Sequence, residues 1–523
     1  MVTQTLDPNA VASATSIAFQ QKAQTTGAFS RDEKILVIGN YTTDKSVVDN
    51  QIKQFFNADD VATYYGFGSP LHRMAMKLFP KDNNGSKVST YFMGVDGNGT
   101  SQVMTVGILS GTPTKNFTCY LRFKELVFEA PADVVGKIAT SYQVNPAKAP
   151  RKLDLNIFNK VKIPFTIEKG YTTAQILNSL KASIDEYVEL PFTAVYSAET
   201  SLLSLTSKWK GETASFSIDF VNSDNEVIST SDYGIAFATE ITSEASGVVD
   251  LDDALDVITV EHQITRIISQ FNDTDNLDRL KDKCNSFRDG LICQWILAYT
   301  GKVFTESTIT ETTTNTETGT QTTTTTGTGT VNIEELITFG NNRRSDSVNV
   351  IIAGCYDNEL RSLTYKERDT LLKAGITNLE PKSTGGYRIG DLITLYHPQG
   401  QKNPIFRFDR DITLLGNIGY DLMIVFRDSD NWKSIIIVGE SLVTNNDSAR
   451  TVKDVKAELD TRLRLYGKNA WIADVDQAIE DSIVQLDSTN PNRFNINPNF
   501  ELSGVGRIYD ITNFVGFYFG TSE

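Results

Sequence analysis

Lys34-Ile-Leu-Val-Ile-Gly39 decides the fold class: four aliphatic side chains in a row between a lysine and a glycine. A run so short and so uniformly apolar, stopped by glycine, predicts a buried strand. Helix signals follow at once. Asn57 stands where an N-cap belongs, with Asp59 and Asp60 in the first turn and Gly66 past the end. Ser69-Pro70 opens a second helix with a cap and a first-turn proline; Leu71, Met74 and Leu78 share one side, and Pro80 stops it. Val88 to Val95 predicts the next strand. Strand, helix, helix, strand is an α/β opening. Ahead of it, residues 1–33 are small and polar without periodicity, which predicts an extended arm or a disordered tail.

Working outward, residues 34–112 form the first part of a core domain, and residues 113–255 change character. Short β-like runs (Phe117–Phe123, Lys160–Ile167, Phe192–Tyr196, Leu202–Ser207, Ser215–Val221) surround a single helix of about residues 173–188. Ile176, Leu180, Ile184 and Tyr187 keep helical spacing, and Pro191 closes the segment. This stretch reads as an inserted, β-rich domain. Residues 256–303 return to α/β style as the second core part: a strand near Ile264–Phe271, a charged helix Asn276–Asp289, and an apolar run Leu291–Tyr299. The threonine-dominated tract 304–331 cannot anchor a core and predicts a surface loop or long hairpin.

Residues 332–503 read as a C-terminal core domain with strong patterns. Val452, Val455, Leu459, Leu463 and Tyr466 recur at intervals of three and four, with Gly467 expected just past the helix end. Ile472, Val475, Ile479 and Ile483 predict a second helix. After Pro491 the chain alternates: Phe494, Ile496, Pro498, Phe500 and Leu502 against polar residues. Ser503-Gly504 turns it, and Val505, Tyr509, Ile511, Val515, Phe517 and Phe519 line one face of a final strand within 504–523. The chain is thus α+β and multidomain. An α/β-style core is built from N- and C-terminal parts, with an inserted β-rich domain and extended terminal arms.

Composition removes several function classes. With 49 basic and 65 acidic residues the formal charge is −16, which repels phosphate backbones and argues against nucleic-acid partners. Cys119, Cys284, Cys293 and Cys355 form no CxxC pair, so neither a zinc framework nor a disulfide scaffold is expected. No apolar run reaches the roughly 18–20 residues of a membrane span. Met1 to Gln24 has neither the basic nor the apolar region of a signal peptide, which points to synthesis in the cytosol.

Sites for chemistry are equally scarce. His72, His262 and His397 stand apart, outside any ligand spacing. Val37-Ile38-Gly39-Asn40 ends a strand as a nucleotide-binding turn does, but no GxGxxG or GxxxxGK[ST] follows. Asp250-Leu-Asp-Asp253 and Asp428-Ser-Asp430 lack the glycine and terminal glutamate of a calcium loop and read as solvated turns. Asn272-Asp-Thr-Asp-Asn276 suits a loop and helix cap. No catalytic residue, metal or cofactor is expected.

Four stretches in order resemble one family. Asn490-Pro-Asn-Arg-Phe, Glu501-Leu-Ser-Gly504 and Asn513-Phe-Val-Gly-Phe-Tyr-Phe-Gly520 resemble the C-terminal segment of contractile tail sheath proteins. Phe406-Arg-Phe-Asp-Arg-Asp-Ile-Thr-Leu-Leu-Gly-Asn-Ile418 is similar to the family's preceding segment, and Tyr64-Tyr-Gly-Phe-Gly-Ser-Pro-Leu-His-Arg-Met-Ala75 to its N-terminal region. Gly170-Tyr-Thr-Thr-Ala174, Leu190-Pro-Phe-Thr-Ala194, Leu203-Ser-Leu-Thr206 and Lys210-Gly211 resemble sheath subunits of the Mu-like type. The threonine tract has no counterpart in that pattern.

The resemblance implies a virion tail subunit, assembled in the host bacterial cytoplasm into a helical homo-oligomer of stacked rings. Its further partners would be the tail tube, baseplate and tail terminator proteins, with no nucleic acid and no membrane insertion. Swapped terminal arms are implied, with Val505, Tyr509, Ile511, Val515, Phe517 and Phe519 as the exchanged strand; the alternative is that residues 505–519 complete their own domain's sheet. Arg407 and Arg410, or Lys453, Lys456, Arg462 and Arg464, are candidate tube contacts in an otherwise acidic chain. Competing expectations are the sheath of another contractile injection machine, a secreted adhesive or surface-layer protein, and an unrecognised enzyme.

Overall fold

The structure, a computed structural model, describes residues 28–79, 88–109, 111–126, 153–155, 162–304, 306–314, 321–331, 333–343, 350–356, 364–377, 379–381, 387–389, 392–396, 406–442 and 446–504. Among these, 28–29 with 429–501 form one compact unit, and 30–428 with 502–504 form another. The predicted 332–503 domain is therefore divided between them.

The larger unit is built on a seven-stranded sheet. Its order is Ile376–Thr377, Val350–Tyr356, Leu297–Phe304, Arg266–Ser269, Lys34–Asn40, Ser89–Val95 and Ile52–Gln54. All neighbours are parallel except Ile52–Gln54, which runs antiparallel along Ser89–Val95. The predicted first strand is a central one, and its alternate side chains go to opposite faces. Ile35 and Val37 join Val61, Leu71, Phe92 and Ile412 on one side. Leu36 and Ile38 join Leu255, Leu277, Leu280 and Cys284 on the other. Burial on both faces is why the run shows no polar alternation. Each such aliphatic contributes roughly 1.5–3 kcal/mol when fully buried.

The helices begin where their caps predict. Asn57 accepts from the Asp60 N–H at the start of Ala58–Tyr65, and Ser69 accepts from the His72 N–H at the start of Pro70–Leu78. Gly66 leaves the first helix at φ 99°, and a Cβ there would stand 1.8 Å from Thr42 Oγ1. Only glycine satisfies both the backbone angle and the space. The charged helix runs Thr274–Phe287 behind Asp273, burying Leu277, Leu280, Cys284 and Phe287.

The inserted region is two small antiparallel sheets around the helix Thr173–Glu186, which starts in a Thr172/Gln175 capping box. One sheet orders Phe216–Val221, Phe117–Leu126 and Lys162–Ile167. The other orders Phe237–Ser243, Val103–Ile108, Leu202–Ser207 and Phe192–Ser197. Val103–Ile108, expected in the first core part, thus belongs to the insertion's sheet; its alternation matches its neighbours, a pairing no local signal announces. Gln102 links the two sheets through its amide, donating to Phe216 O at 2.7 Å and accepting from Phe216 N at 3.1 Å. The threonine tract is a hairpin in its described parts, with Glu306–Thr314 antiparallel to Gln321–Val331.

In the smaller unit the helix Val452–Lys468 starts in a Thr451/Asp454 capping box and buries Val455, Leu459, Leu463 and Tyr466. Gly467 lies inside it and not beyond it: a Cβ there would meet Val475 Cγ2 at 2.0 Å, so close packing calls for the glycine. The second helix is short, Val475–Asp481, and Ile483 starts a strand instead of extending it. Ile483–Leu486 pairs antiparallel with Phe494–Asn497. The predicted partner of Phe494–Asn497, the strand after Ser503-Gly504, lies outside the described residues, as does arm segment 1–27.

Candidate functional site

In an open α/β sheet, ligands bind beyond the carboxyl ends of the strands, where the strand order reverses. Here that point lies between Lys34–Asn40 and its neighbours, and the chain's own polar side chains occupy it. Gln270 Oε1 accepts from the Asn40 N–H at 2.8 Å, and Asn40 Nδ2 donates to Val95 O at 2.9 Å. Gln270 Nε2 donates to Asn40 Oδ1 and to Thr213 Oγ1, the latter at 3.2 Å. Thr213 in turn donates to Asn40 Oδ1 at 3.3 Å and accepts from Trp209 Nε1 at 3.3 Å. Thr213 and Trp209 come from the insertion, so the crevice serves to fasten that region to the sheet. Gly39 is hemmed in as well, since a Cβ there would meet Gln270 Oε1 at 2.7 Å.

The opposite, amino edge carries a charged cluster that sequence spacing did not reveal. Arg266, with a side chain only 2% exposed, opens its strand there. Its Nε donates to Glu33 Oε2 at 3.1 Å and its Nη1 to Asp409 Oδ1 at 3.1 Å. It also reaches Tyr299 Oη and, at 3.4 Å, Thr413 Oγ1. Tyr299 donates to Asp409 Oδ1 at 2.6 Å. Burial first, and then the charges of Glu33 and Asp411, hold the Asp409 carboxyl well above the ordinary carboxylate range. The partners stand 233 and 143 positions from Arg266, so only the fold brings them together.

Asp409 begins the helix Asp409–Met423, which carries the sheath-like segment. Asp411 in its first turn complements the helix dipole. Two points where the chain joins the core meet this helix. The Arg31 N–H donates to Asn417 Oδ1 at 3.2 Å, while its guanidinium donates to Trp295 O at 2.9 Å and Ile264 O at 3.2 Å. Arg410 Nη1 donates to Ser503 O at 2.7 Å. Arg31, Glu33, Arg266, Thr413 and Asn417 border a small recess of about 20 Å3.

The basic candidates differ in accessibility. Arg410 is buried and held by Ser503 O and Asp411, and Arg407 lies with its guanidinium 5.7 Å from the Phe408 ring. In the smaller unit, Arg462 is buried, bonded to Glu458 at 2.9 Å, with Phe29 below its guanidinium. Lys456 donates to Asp460 at 2.5 Å and to Ile479 O at 2.6 Å. Lys453 and Arg464 face solvent, 3.3 Å from Glu440 and 3.7 Å from Asp476 respectively. Val505, Tyr509, Ile511, Val515, Phe517 and Phe519 lie outside the described residues.

The Ile483–Leu486/Phe494–Asn497 sheet was not foreseen as a site. It has two strands only, so each has an outer edge without a neighbouring strand among the described residues. Ile483 and Leu486 are exposed on it. The signal was present in Ile483, an apolar residue after a short helix, but helical spacing absorbed it.

The remaining sequence candidates are structural in their contacts. His72 is buried and accepts from the Gly68 N–H at 3.0 Å. His262 accepts from the Thr259 N–H at 3.1 Å, and His397 lies outside the described residues. Asp250 and Asp252 both pair with Arg279, at 2.9 and 2.8 Å. Asp273 caps its helix, as expected. Among the described residues no cluster of histidine, cysteine and carboxylate could hold a metal, and no helix is long and apolar enough to cross a membrane.

No protein-family model matches the chain, and no curated protein matches it. Among solved structures, a sheath tail protein from Desulfitobacterium hafniense is similar over 90% of this chain and 93% of its own, with 13% identity and a TM-score of 0.37.

Proposed function

We propose that the chain is the structural sheath subunit of a contractile phage tail, polymerising helically around the tail tube and contracting to drive the tube through the host envelope. The observation that carries the reading is the two-stranded sheet of Ile483–Leu486 and Phe494–Asn497, whose outer edges have no neighbouring strand among the described residues and which exposes Ile483 and Leu486. A two-stranded sheet is marginal alone and gains main-chain hydrogen bonds and apolar cover from an added strand. The alternating segment 505–519 supplies a strand of suitable pattern, and its root at Ser503 is tied to Arg410. Donation of that segment to the next subunit's sheet is a head-to-tail contact, which propagates into a helical assembly.

The ordered sheath-like stretches support the same reading. The strand-end crevice supports it too, because the chain's own side chains fill the place where an enzyme of this sheet type would hold its ligand. Contraction then needs no reaction. The extended sheath is a kinetically trapped state that relaxes when released. Tube contact falls to the accessible cations Lys453 and Arg464, with Arg407 as a further contact, and the tube, baseplate and terminator proteins are the partners.

Negative-stain electron microscopy of the purified full chain beside a version ending at Ser503 tests this. Hollow helical tubes from the full chain, lost in the folded truncation, are expected. Tubes from both would remove strand donation and keep the sheath. Compact particles alone, even with tube protein added, would overturn the assignment.

A further inference from the structure

The cluster around Arg266 holds more acid than one guanidinium satisfies. Arg266 reaches Glu33 through Nε and Nη2, at 3.1 and 3.4 Å, and Asp409 through Nη1, at 3.1 Å. Asp409 is 1% exposed; its Oδ1 accepts from both Arg266 and Tyr299, while its Oδ2 is buried with no hydrogen-bond partner. A buried carboxylate oxygen left bare is costly, and less so when it is protonated and the group neutral. The two carboxyls belong to different parts of the chain. Asp409 is fixed on the helix Asp409–Met423, and Glu33 sits on the short segment that leads into the first strand.

We propose that segment 30–33 is held to the core by a proton-operated latch: a proton on Asp409 keeps the Arg266 guanidinium committed to Glu33, and loss of that proton turns the guanidinium over to Asp409 and frees the segment. The proton resides on Oδ2, the oxygen that accepts from neither Arg266 nor Tyr299. With Glu33 docked, its charge and that of Asp411 oppose ionisation of Asp409. Burial raises Asp409 in either state, but with Glu33 withdrawn one opposing charge is gone and Arg266 remains beside it, which favours the carboxylate relative to the docked state.

The other groups that face the cluster fit this account. From the segment itself, Arg31 directs its guanidinium to the Trp295 and Ile264 carbonyls, so Glu33 is the moving charge that acts on Asp409. From the strand side, Thr265 Oγ1 donates to Glu33 Oε2 at 2.7 Å and Tyr299, itself pushed up by burial, stays a donor. From the helix, Asp411 is paired with Arg410 at 3.3 Å, and Thr413 accepts from Arg266. The docked state holds one proton more than the undocked state. Docking is therefore complete at low pH and weakens as pH rises, by up to roughly tenfold per unit while Asp409 titrates.

The test is tryptic cleavage after Arg31 in the full, unassembled chain, followed by mass between pH 6 and pH 10. Rates are normalised to those on a free peptide of residues 28–36. The wild-type rate is expected to climb by roughly tenfold or more with pH. Asp409→Asn, which cannot ionise, should stay low within about twofold, and Glu33→Gln, which leaves Asp409 the guanidinium throughout, should stay high. A flat wild-type profile overturns the latch, as does a wild-type rise in Asp409→Asn. Should Asp409→Asn fail to fold, a wild-type rise that persists in Glu33→Gln overturns it equally. Because no assembly is involved, the outcome does not depend on whether the chain forms tubes.

Discussion

The Arg410 guanidinium donates to the Ser503 carbonyl across 93 positions of sequence, at 2.7 Å and with Arg410 only 5% exposed. A basic residue of the sheath-like segment thus secures the point from which the chain continues into residues 505–523. Hydrogen bonds to charged groups contribute about 1.5–3 kcal/mol. Arg410→Ala is expected to lower unfolding stability by about 2 kcal/mol in urea titrations, and to weaken tube formation. An unchanged midpoint would show that Ser503 needs no such anchor.

Lys208 supplies a pH dependence. Its ammonium donates to Phe67 O at 3.0 Å and Val188 O at 2.7 Å, joining the first helical region to the insertion. Burial pushes it down to about 8 from its ordinary 10.5. A lysine depressed in the folded state binds fewer protons there than when unfolded, so stability rises with pH between about 8 and 10.5. The melting temperature of wild type relative to Lys208→Met should therefore increase across that window. A constant difference between the two proteins would refute the assignment.

Gly66→Ala should destabilise by at least about 2 kcal/mol, since a left-handed φ and a collision with Thr42 act together. Adding Thr42→Ala should restore the part due to the collision and leave the part due to φ. Full recovery in the double variant would mean that the backbone angle costs nothing.

Replacing Ile483 and Leu486 together by aspartate separates folding from assembly. Both are exposed, so each change should alter stability by less than about 0.5 kcal/mol. Two charges on the open sheet should nevertheless abolish tubes in electron micrographs. Normal tubes from the variant would exclude this sheet as the acceptor.

Much of the fold was legible because its signals are local. The run at Ile35–Ile38, the Asn57 and Ser69 caps, and the heptad-like apolar series from Val455 to Tyr466 each state their element within a few residues. What escaped was set by distant partners. Val103–Ile108 alternates equally well for either sheet, and only its neighbours Leu203 and Leu205 decide. Ile483 keeps helical spacing with Ile479, yet the helix ends because the Ser482 hydroxyl bonds back to Ala478 O at 2.6 Å while its backbone turns extended. The candidate site suffered most. Arg266 looks like a polar residue at the head of an apolar run, and nothing near it in sequence foretells Glu33, Tyr299 or Asp409.

Because Arg31 meets Asn417 and Ser503 meets Arg410 on one helix, the two anchor points are seven residues apart, about 10 Å along its axis. Tension applied between Arg31 and Ser503 therefore has a short path through two turns of that helix, in parallel with the path that the Arg31 guanidinium offers to the sheet edge at Ile264 and Trp295.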